Sequence, residues 1–193
     1  IGAGGVVVAR PAFQQAGPGS TPRAALQSLQ VRPIPVRAAK TLLVREHYLH
    51  SLPGGTRLAF GVFHGPRLEG ALTLGVGPYN AHCLVDGAGA EDCLTLTRLW
   101  LVQGLPTNSE SRVLGVVVRA LTRHTSVKFL VTYADPAQGH LGTIYQATNW
   151  VYTGLSSAMP HYDLGDGKAH HSRSLSHAYG THSVLHFAGH GID

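Results

Sequence analysis

Acidic residues and cysteines are scarce in this chain. Of its 193 residues, 10 are Asp or Glu and 2 are Cys, against 15 Lys and Arg. Cys83 and Cys93 stand apart from each other without a Cys-x-x-Cys motif. This spacing argues against a disulfide framework and predicts reduced thiols in a cytoplasmic protein.

Long apolar runs are also missing. The sequence holds no 18-residue apolar stretch and no charged-then-apolar signal at its amino terminus. We therefore expect neither a membrane span nor secretion. The hydrophobic content of 44% suits one domain with a substantial core.

The first 45 residues contain no acid at all. They carry six basic side chains, which are Arg10, Arg23, Arg32, Arg37, Lys40 and Arg45, in a chain of net charge +5. A basic, acid-free segment favours contact with a polyanion, although it is equally typical of a solvated flexible arm. We predict a Gly/Pro-rich basic arm at residues 1–28, with a weak strand at Val6–Val8, and one domain at 29–193 with a His-rich tail.

Apolar periodicity predicts the remaining elements. In chain order they are an edge strand over 29–35, a helix from Val36 to about His50, a hairpin of strands 57–64 and 68–76, a central strand 94–101 and a helix from Ser109. A strand at 129–133, a helix and a strand from Val151 follow. The predicted fold is α/β, a single domain whose mixed sheet has helices on both faces.

One stretch concentrates polar side chains at the end of a buried strand. The strand 129–133 ends at Ala134-Asp135-Pro136, and a helix is predicted from His140 to about Asn149, with Tyr145 on it. Ligands of open α/β sheets bind at the carboxyl ends of strands. Asp135, Gln138 and His140 are therefore candidate site residues.

Several motifs occur in a recognisable order along residues 45–180. They are His47-Tyr48, Leu96-Thr97-Arg98-Leu99-Trp100, Asn108-Ser109-Glu110-Ser111, Tyr133-Ala134-Asp135-Pro136-Ala137-Gln138-Gly139-His140, Gly142-Thr143-Ile144-Tyr145-Gln146-Ala147-Thr148-Asn149-Trp150, Tyr152-Thr153-Gly154 and His171-Ser172-Arg173-Ser174-Leu175-Ser176. With this element order, the chain resembles the GNAT acyltransferase fold and, within it, the Mom-type DNA modification proteins of bacteriophages.

The resemblance implies a function. The family adds a carbamoylmethyl-type group to the N6 amino group of adenine in double-stranded DNA, which blocks host restriction enzymes. The expected partners are double-stranded DNA and an acyl donor. The expected location is the cytoplasm of the infected host, and a homodimer is left open.

Asp135 and Tyr145 are the candidate catalytic pair. Asp135 would accept a proton from the exocyclic amine or orient the base, or else it caps the following helix. Tyr145 stands where many GNAT enzymes place the tyrosine that protonates a leaving thiolate, or else it is a core tyrosine.

Arg98 is the third candidate. Strict alternation places it on one strand face with Leu94, Leu96 and Trp100. A guanidinium on an apolar face must be paired or touch a ligand, so Arg98 either pairs with Asp135 or anchors the donor or a phosphate.

His47 and Tyr48 are expected to line the pocket, together with Trp100, Gln138 and His140. On a helix, His47 and His50 would share one face, which is a weak metal signal. We assign no metal ligand, and a divalent ion such as iron is left open. Tyr79, Trp100, Trp150 and Tyr152 could stack on a flipped base or belong to the core.

The donor site is less well defined. GNAT enzymes hold the pyrophosphate of acetyl-CoA with a glycine-rich loop, and the equivalent turn here, residues 106–112, has no glycine. Ser109, Ser111 and Arg112 at a helix N-terminus could still bind acetyl-CoA or a related acyl-CoA, although Glu110 would repel an anion. Candidate DNA-phosphate contacts are Arg37, Lys40, Arg45, Lys168 and Arg173.

Two other functions compete with this one. The chain could be a GNAT-type N-acyltransferase for a small molecule or protein, which would favour an intact glycine loop. It could also be a non-catalytic DNA-binding protein that keeps the transferase fold.

Overall fold

The computed structural model describes residues 5–9, 29–135, 139–156, 161–165 and 169–171, and the single positions 175, 179–181, 183 and 186. For residues 5–9, 161 and 169–171 the description covers the backbone. The strands are β1 Gly5–Ala9, β2 Leu29–Pro33, β3 Thr56–His64, β4 Arg67–Gly75, β5 Cys93–Leu101, β6 Phe129–Ala134, β7 Val151–Leu155, β8 His161–Asp163 and β9 Ala169–His171. The α-helices are α1 Val36–Glu46, α2 Ser109–His124 and α3 Thr143–Gln146, and short 3-10 turns lie at Ala81–Leu84 and Ala90–Asp92.

The main sheet is mixed, as predicted. Its seven strands lie in the order β2-β3-β4-β5-β6-β1-β7, and β8 and β9 form a separate antiparallel pair. β5 and β6 pair in parallel, and the other neighbours are antiparallel. The predicted strand at Val6–Val8 lies within β1, between β6 and β7. Whether residues 1–28 act as a DNA-binding arm stays a prediction.

Helices cover both faces of the sheet because its strands are apolar on both sides. On one face, α2 contributes Val113, Leu114, Val117 and Leu121 to a cluster with Leu72, Leu74, Leu94 and Leu96. On the other face, α1 contributes Ala39, Leu42 and Leu43 to a cluster with Ala59 and Ala71. None of the helices in the described part of the chain is long and apolar enough to cross a membrane.

The predicted alternation of β5 is wrong beyond Leu96. Leu96 pairs with Leu74 of β4, and Arg98 pairs with the next residue of β4, Thr73. Thr97 therefore has no partner in the ladder and is an extra residue in β5. Such a β-bulge shifts every later side chain to the opposite face. Leu99 therefore packs in the α2 cluster, and Trp100 packs in the α1 cluster. Arg98 thus does not share a face with Leu94 and Leu96.

Two helices are shorter than predicted. α1 ends at Glu46, and His47 is already extended, with φ −81° and ψ 137°. His47 and His50 are therefore not one turn apart on a helix. α3 begins after Gly142, whose φ is +72°, and contains four residues. Glycines in the left-handed conformation interrupt helices, which explains why the helix does not begin at His140.

Candidate active site

A gap opens between β5 and β6 at their carboxyl ends. The last registered pair of these parallel strands is Leu96 and Thr132, although each strand continues further. Beyond this pair the two strands no longer share a ladder. The gap lies where parallel α/β sheets bind their ligands.

The α1 side of the gap holds a cluster of aromatic and charged side chains. The rings of His47 and Tyr48 stack with centroids 4.5 Å apart, and the Tyr48 ring lies 5.5 Å from that of His140. Tyr48 is also close enough to Asp135 and Arg98 for both charges to act on its pKa. Residues that are far apart in the sequence thus meet around one tyrosine.

Arg98 owes its position to the bulge. Its Nε donates to the Ser51 carbonyl oxygen at 3.0 Å, Nη1 donates to the Thr97 carbonyl oxygen at 2.6 Å and Nη2 donates to the Ser51 hydroxyl at 3.3 Å. These bonds fix the guanidinium plane beside the loop that follows α1. Both predicted alternatives for Arg98, pairing with Asp135 and anchoring a ligand, stay predictions.

His47 is neutral at physiological pH. Burial, followed by the charges of Arg98, His140 and His50, lowers its pKa from 6.5 to about 4. Its Nδ1 accepts a hydrogen bond from the Leu49 backbone N–H at 3.2 Å. The ring proton therefore resides on Nε2, which fixes the tautomer of a ring that is itself stacked on Tyr48.

Tyr145 approaches the gap from the α2 side. Its side chain is 9% exposed and its ring lies 5.2 Å from that of Trp150. Burial raises the pKa of Tyr145, which a hydrogen bond with Thr132 partly offsets. Tyr48 raises it further, so the two tyrosines interact across the gap. The pKa of Tyr48 is itself raised, mainly by burial and then by Asp135.

Some predicted site residues lie elsewhere. Trp100 packs against the α1 cluster, and Trp150 is buried in the α2 cluster. The Ser109 hydroxyl is buried and donates to the Pro106 carbonyl oxygen at 2.6 Å, which directs it into its own turn. Ser111 and Arg112 are partly buried in the first turn of α2, and Arg112 Nε is buried with no hydrogen-bond partner.

The candidate phosphate contacts fall into two groups. Arg37, Lys40 and Arg45 are exposed on α1, and Arg45 pairs with Glu46. Lys168 and Arg173 lie outside the described residues, as do the pocket candidate Gln138 and three histidines of the tail, His177, His182 and His190. Within the described part, no group of three or more His, Cys, Asp or Glu side chains could hold a metal ion.

Sequence reasoning missed Ser51 and Thr132. Thr132 is a buried hydroxyl on an apolar strand, and it partners Tyr145. A threonine at that position of a buried strand is a usable signal, because buried hydroxyls need partners. Ser51 lies in a loop and carries no comparable signal.

Comparison with known proteins agrees with the predicted resemblance. The model of the Mom protein family matches residues 28–193. The chain is 29% identical over 153 residues to "Methylcarbamoylase mom" of Escherichia phage Mu, a match that covers 78% of this chain and 63% of that protein. The chain thus matches less than two thirds of the length of this relative.

One solved structure agrees on the fold, and a second resembles it more weakly. A GCN5-related N-acetyltransferase from Kribbella flavida superimposes with a TM-score of 0.51 at 7% identity, over 79% of this chain and 55% of that one. A conserved protein of unknown function from Staphylococcus epidermidis ATCC 12228 gives a TM-score of 0.49 at 9% identity, over 80% of this chain and 59% of that one. The predicted GNAT-like fold is confirmed, and the chain belongs to the Mom protein family.

Proposed function

We propose that this protein transfers an acyl-derived, carbamoylmethyl-type group to the N6 amino group of adenine in double-stranded phage DNA, and so protects that DNA from host restriction. Membership of the Mom family and the name of the phage Mu relative support this proposal. The observation that carries it is the meeting of Tyr48, Asp135 and Tyr145 at the gap between β5 and β6.

The reaction needs a proton acceptor on the side of the base. The N6 lone pair is delocalised into the adenine ring, so the amine is a poor nucleophile. As its N–H bond breaks and an N–C bond forms, the released proton passes to the Asp135 carboxylate. Tyr48 and the neutral His47 line the space beside this carboxylate, and Arg98 anchors the donor or a phosphate from its fixed position.

A proton donor is needed on the opposite side. The bond between the transferred carbon and its leaving group breaks in the same exchange, and the leaving group takes up a proton. Tyr145 supplies this proton, because a buried phenol with a raised pKa stays protonated until a strong base such as a thiolate forms beside it. Tyr48 thus lies beside the base that accepts the group, and Tyr145 lies beside the leaving group of the donor.

For this step the donor is an acyl thioester of the acetyl-CoA class: N6 attacks its carbonyl carbon, the C–S bond breaks, an acyl group remains on N6 and the thiolate leaves with the proton from Tyr145. A carbamoylmethyl-type group contains one more nitrogen than this acyl group, and a separate reaction with a nitrogen donor would have to supply it. The first turn of α2 lies at the carboxyl end of β5, and helix N-termini bind phosphate through their backbone N–H groups. Arg112, with its orphaned Nε, and Ser111 would complete this contact, whereas Ser109 is committed to Pro106. The role of a divalent metal such as iron stays a prediction, for which loss of activity in a chelator is the check.

The first experiment expresses the protein in bacteria and analyses the nucleosides of the host plasmid by mass spectrometry. An adenosine species of raised mass is expected with the wild-type protein and absent with Asp135→Ala. The exposed carboxylate Asp86, changed to alanine, is the matched control and should leave the new species in place.

Three outcomes would contradict the proposal. If the Asp135→Ala protein modifies DNA at the wild-type rate, Asp135 is not the proton acceptor and the proposed chemistry is wrong. Unmodified adenosine in cells that hold soluble wild-type protein, together with no salt-dependent duplex binding, would favour the small-molecule or protein acyltransferase. Duplex binding without modification would favour the non-catalytic DNA-binding protein.

A further inference from the structure

Tyr79 is the most exposed large hydrophobic side chain in the described part of the chain. It is 95% exposed, whereas the next, Leu141, is 73% exposed. It lies on the connector of residues 76–92, which joins β4 to β5. Tyrosine combines a large apolar ring with a polar hydroxyl and is enriched at interfaces, so a fully exposed ring is a candidate contact for a partner.

The backbone around Tyr79 is held firmly. A Cβ at Gly77 would overlap the Thr95 hydroxyl, so the chain just before Tyr79 lies directly against β5. Ala81, just after it, is buried against Phe129 and Val131, and its N–H donates to the Pro78 carbonyl oxygen at 3.0 Å. The connector therefore presents the ring from a rigid support, which lowers the entropy lost when the ring binds.

The ring of Tyr79 contacts that of His82. The two centroids are 6.5 Å apart and the planes are nearly perpendicular, at 83°. Because the Tyr79 ring is 95% exposed, both of its faces remain largely in water. A flat aromatic face is the surface on which nucleobases stack, and stacking tolerates any sequence because every base has a π-face.

Tyr79 lies on the same face of the sheet as the proposed acceptor side. Thr95, against which Gly77 packs, faces away from the α2 cluster, as Arg98 does after the bulge. Arg98 lies three positions after Thr95 along the strand, which is roughly 10 Å. α1 with its exposed Arg37 and Lys40 covers β3 and β4 on this face, and the connector covers the starts of β5 and β6. A duplex held by α1 would extend over the connector.

We propose that Tyr79 enters the base stack of bound DNA and fills the place of the adenine that leaves the helix for the active site. This inference rests on the proposed function, because an enzyme acting on adenine N6 must extrude the base from the duplex. The inserted ring replaces the lost stacking contacts of the neighbouring bases and slows the return of the adenine.

The test compares three duplexes that differ at one target position. In the first the adenine is paired, in the second it faces an abasic site, and in the third it is replaced by 2-aminopurine, whose fluorescence rises on unstacking. Tyr79→Ala should modify the paired duplex about ten-fold more slowly than wild type, which is the scale of one lost base–aromatic stack. With the abasic duplex, whose adenine is already unpaired, the rate should return to within about two-fold of wild type.

Two matched variants separate stacking from packing. Tyr79→Phe keeps the ring and should retain the wild-type rate and the 2-aminopurine signal. Leu84→Ala removes another exposed apolar side chain from the same connector and should leave both unchanged. The midpoint of thermal unfolding, measured for each variant, shows whether the substitution disturbs the fold of the connector.

The outcomes are distinct for the two proposals. If the wild type modifies the paired duplex and Tyr79→Ala does so equally fast, the inference about Tyr79 is wrong and the proposed function stands. An equal loss on paired and abasic duplexes would also overturn it, since such a loss reflects folding or overall affinity. A wild-type protein that modifies neither of the two duplexes that contain adenine overturns the proposed function itself.

Discussion

The two tyrosines at the gap between β5 and β6 differ in their surroundings. Tyr145 is 9% exposed, packs on Trp150 and bonds to Thr132. Tyr48 is 41% exposed and lies among His47, His140 and the charges of Asp135 and Arg98. The difference shows how a split in a sheet gives one reaction two environments. The apolar side keeps a proton in place, and the polar side can receive a substrate and a charge.

The largest expected effect concerns the buried tyrosine. Tyr145→Phe should lower the modification rate about 100-fold, because it removes the proposed acid and keeps the ring on Trp150. Thr132→Val is the matched variant. This variant keeps the phenol of Tyr145 and removes its hydrogen-bond partner, so the modification rate should fall less than in Tyr145→Phe. Single-turnover rates on plasmid DNA measure both, and a Tyr145→Phe rate within three-fold of wild type would place the acid elsewhere.

The lowered pKa of His47, on the polar side of the gap, should make the free energy of unfolding depend on pH. The folded-state pKa of His47 is lowered from 6.5 to about 4, so the unfolded chain binds this proton more readily. Stability should therefore be complete above pH 6.5 and fall as the pH drops towards 4, by at most about 2 kcal/mol between pH 7 and pH 5. His47→Gln should flatten this slope in urea unfolding. An unchanged slope would show that His47 does not carry the pH dependence.

Arg98 tests whether geometry or charge matters on the polar side. Arg98→Lys keeps the positive charge but cannot reproduce the three bonds to Ser51 and Thr97. We expect about a ten-fold loss of modification rate with little change in duplex affinity. Ser51→Ala, which removes one of these bonds and keeps the carbonyl acceptor, should cost less. Full activity of the Arg98→Lys protein would show that only the positive charge of Arg98 matters, and not its hydrogen bonds.

The smallest effect is expected on the outer surface of α1. Lys40→Ala should weaken duplex binding by a few-fold on any sequence and reduce the slope of log K against log salt by roughly 1. Thr41→Ala, an exposed neighbour on the same helix, is the control. An unchanged salt slope would show that the DNA does not lie along α1.

The sequence predicted much of this arrangement. Alternation gave the hairpin and the central strand, and the proline after Asp135 marked the end of β6. His47, Tyr48, Arg98, Asp135 and Tyr145, named from motifs, do come together in the structure.

Other features could not be read from the pattern. The apolar stripe of Tyr48 and Leu49 predicted a longer α1, but both side chains are partly exposed beyond the helix end. The extra residue Thr97 has no local signature, since a threonine fits any position of a strand. Its effect on Arg98 depends on the register with β4, which is a long-range property.

By itself the sequence determined the element types, the two apolar faces of the sheet and the polar residues at the end of β6, because these depend on periodicity and on local backbone limits. Only the tertiary structure decided which side of β5 Arg98 faces, that β5 and β6 separate after Leu96 and Thr132, and that Tyr48 and Tyr145 interact across that gap. Those features arise from strand pairing between distant segments, where register and packing outweigh local preference.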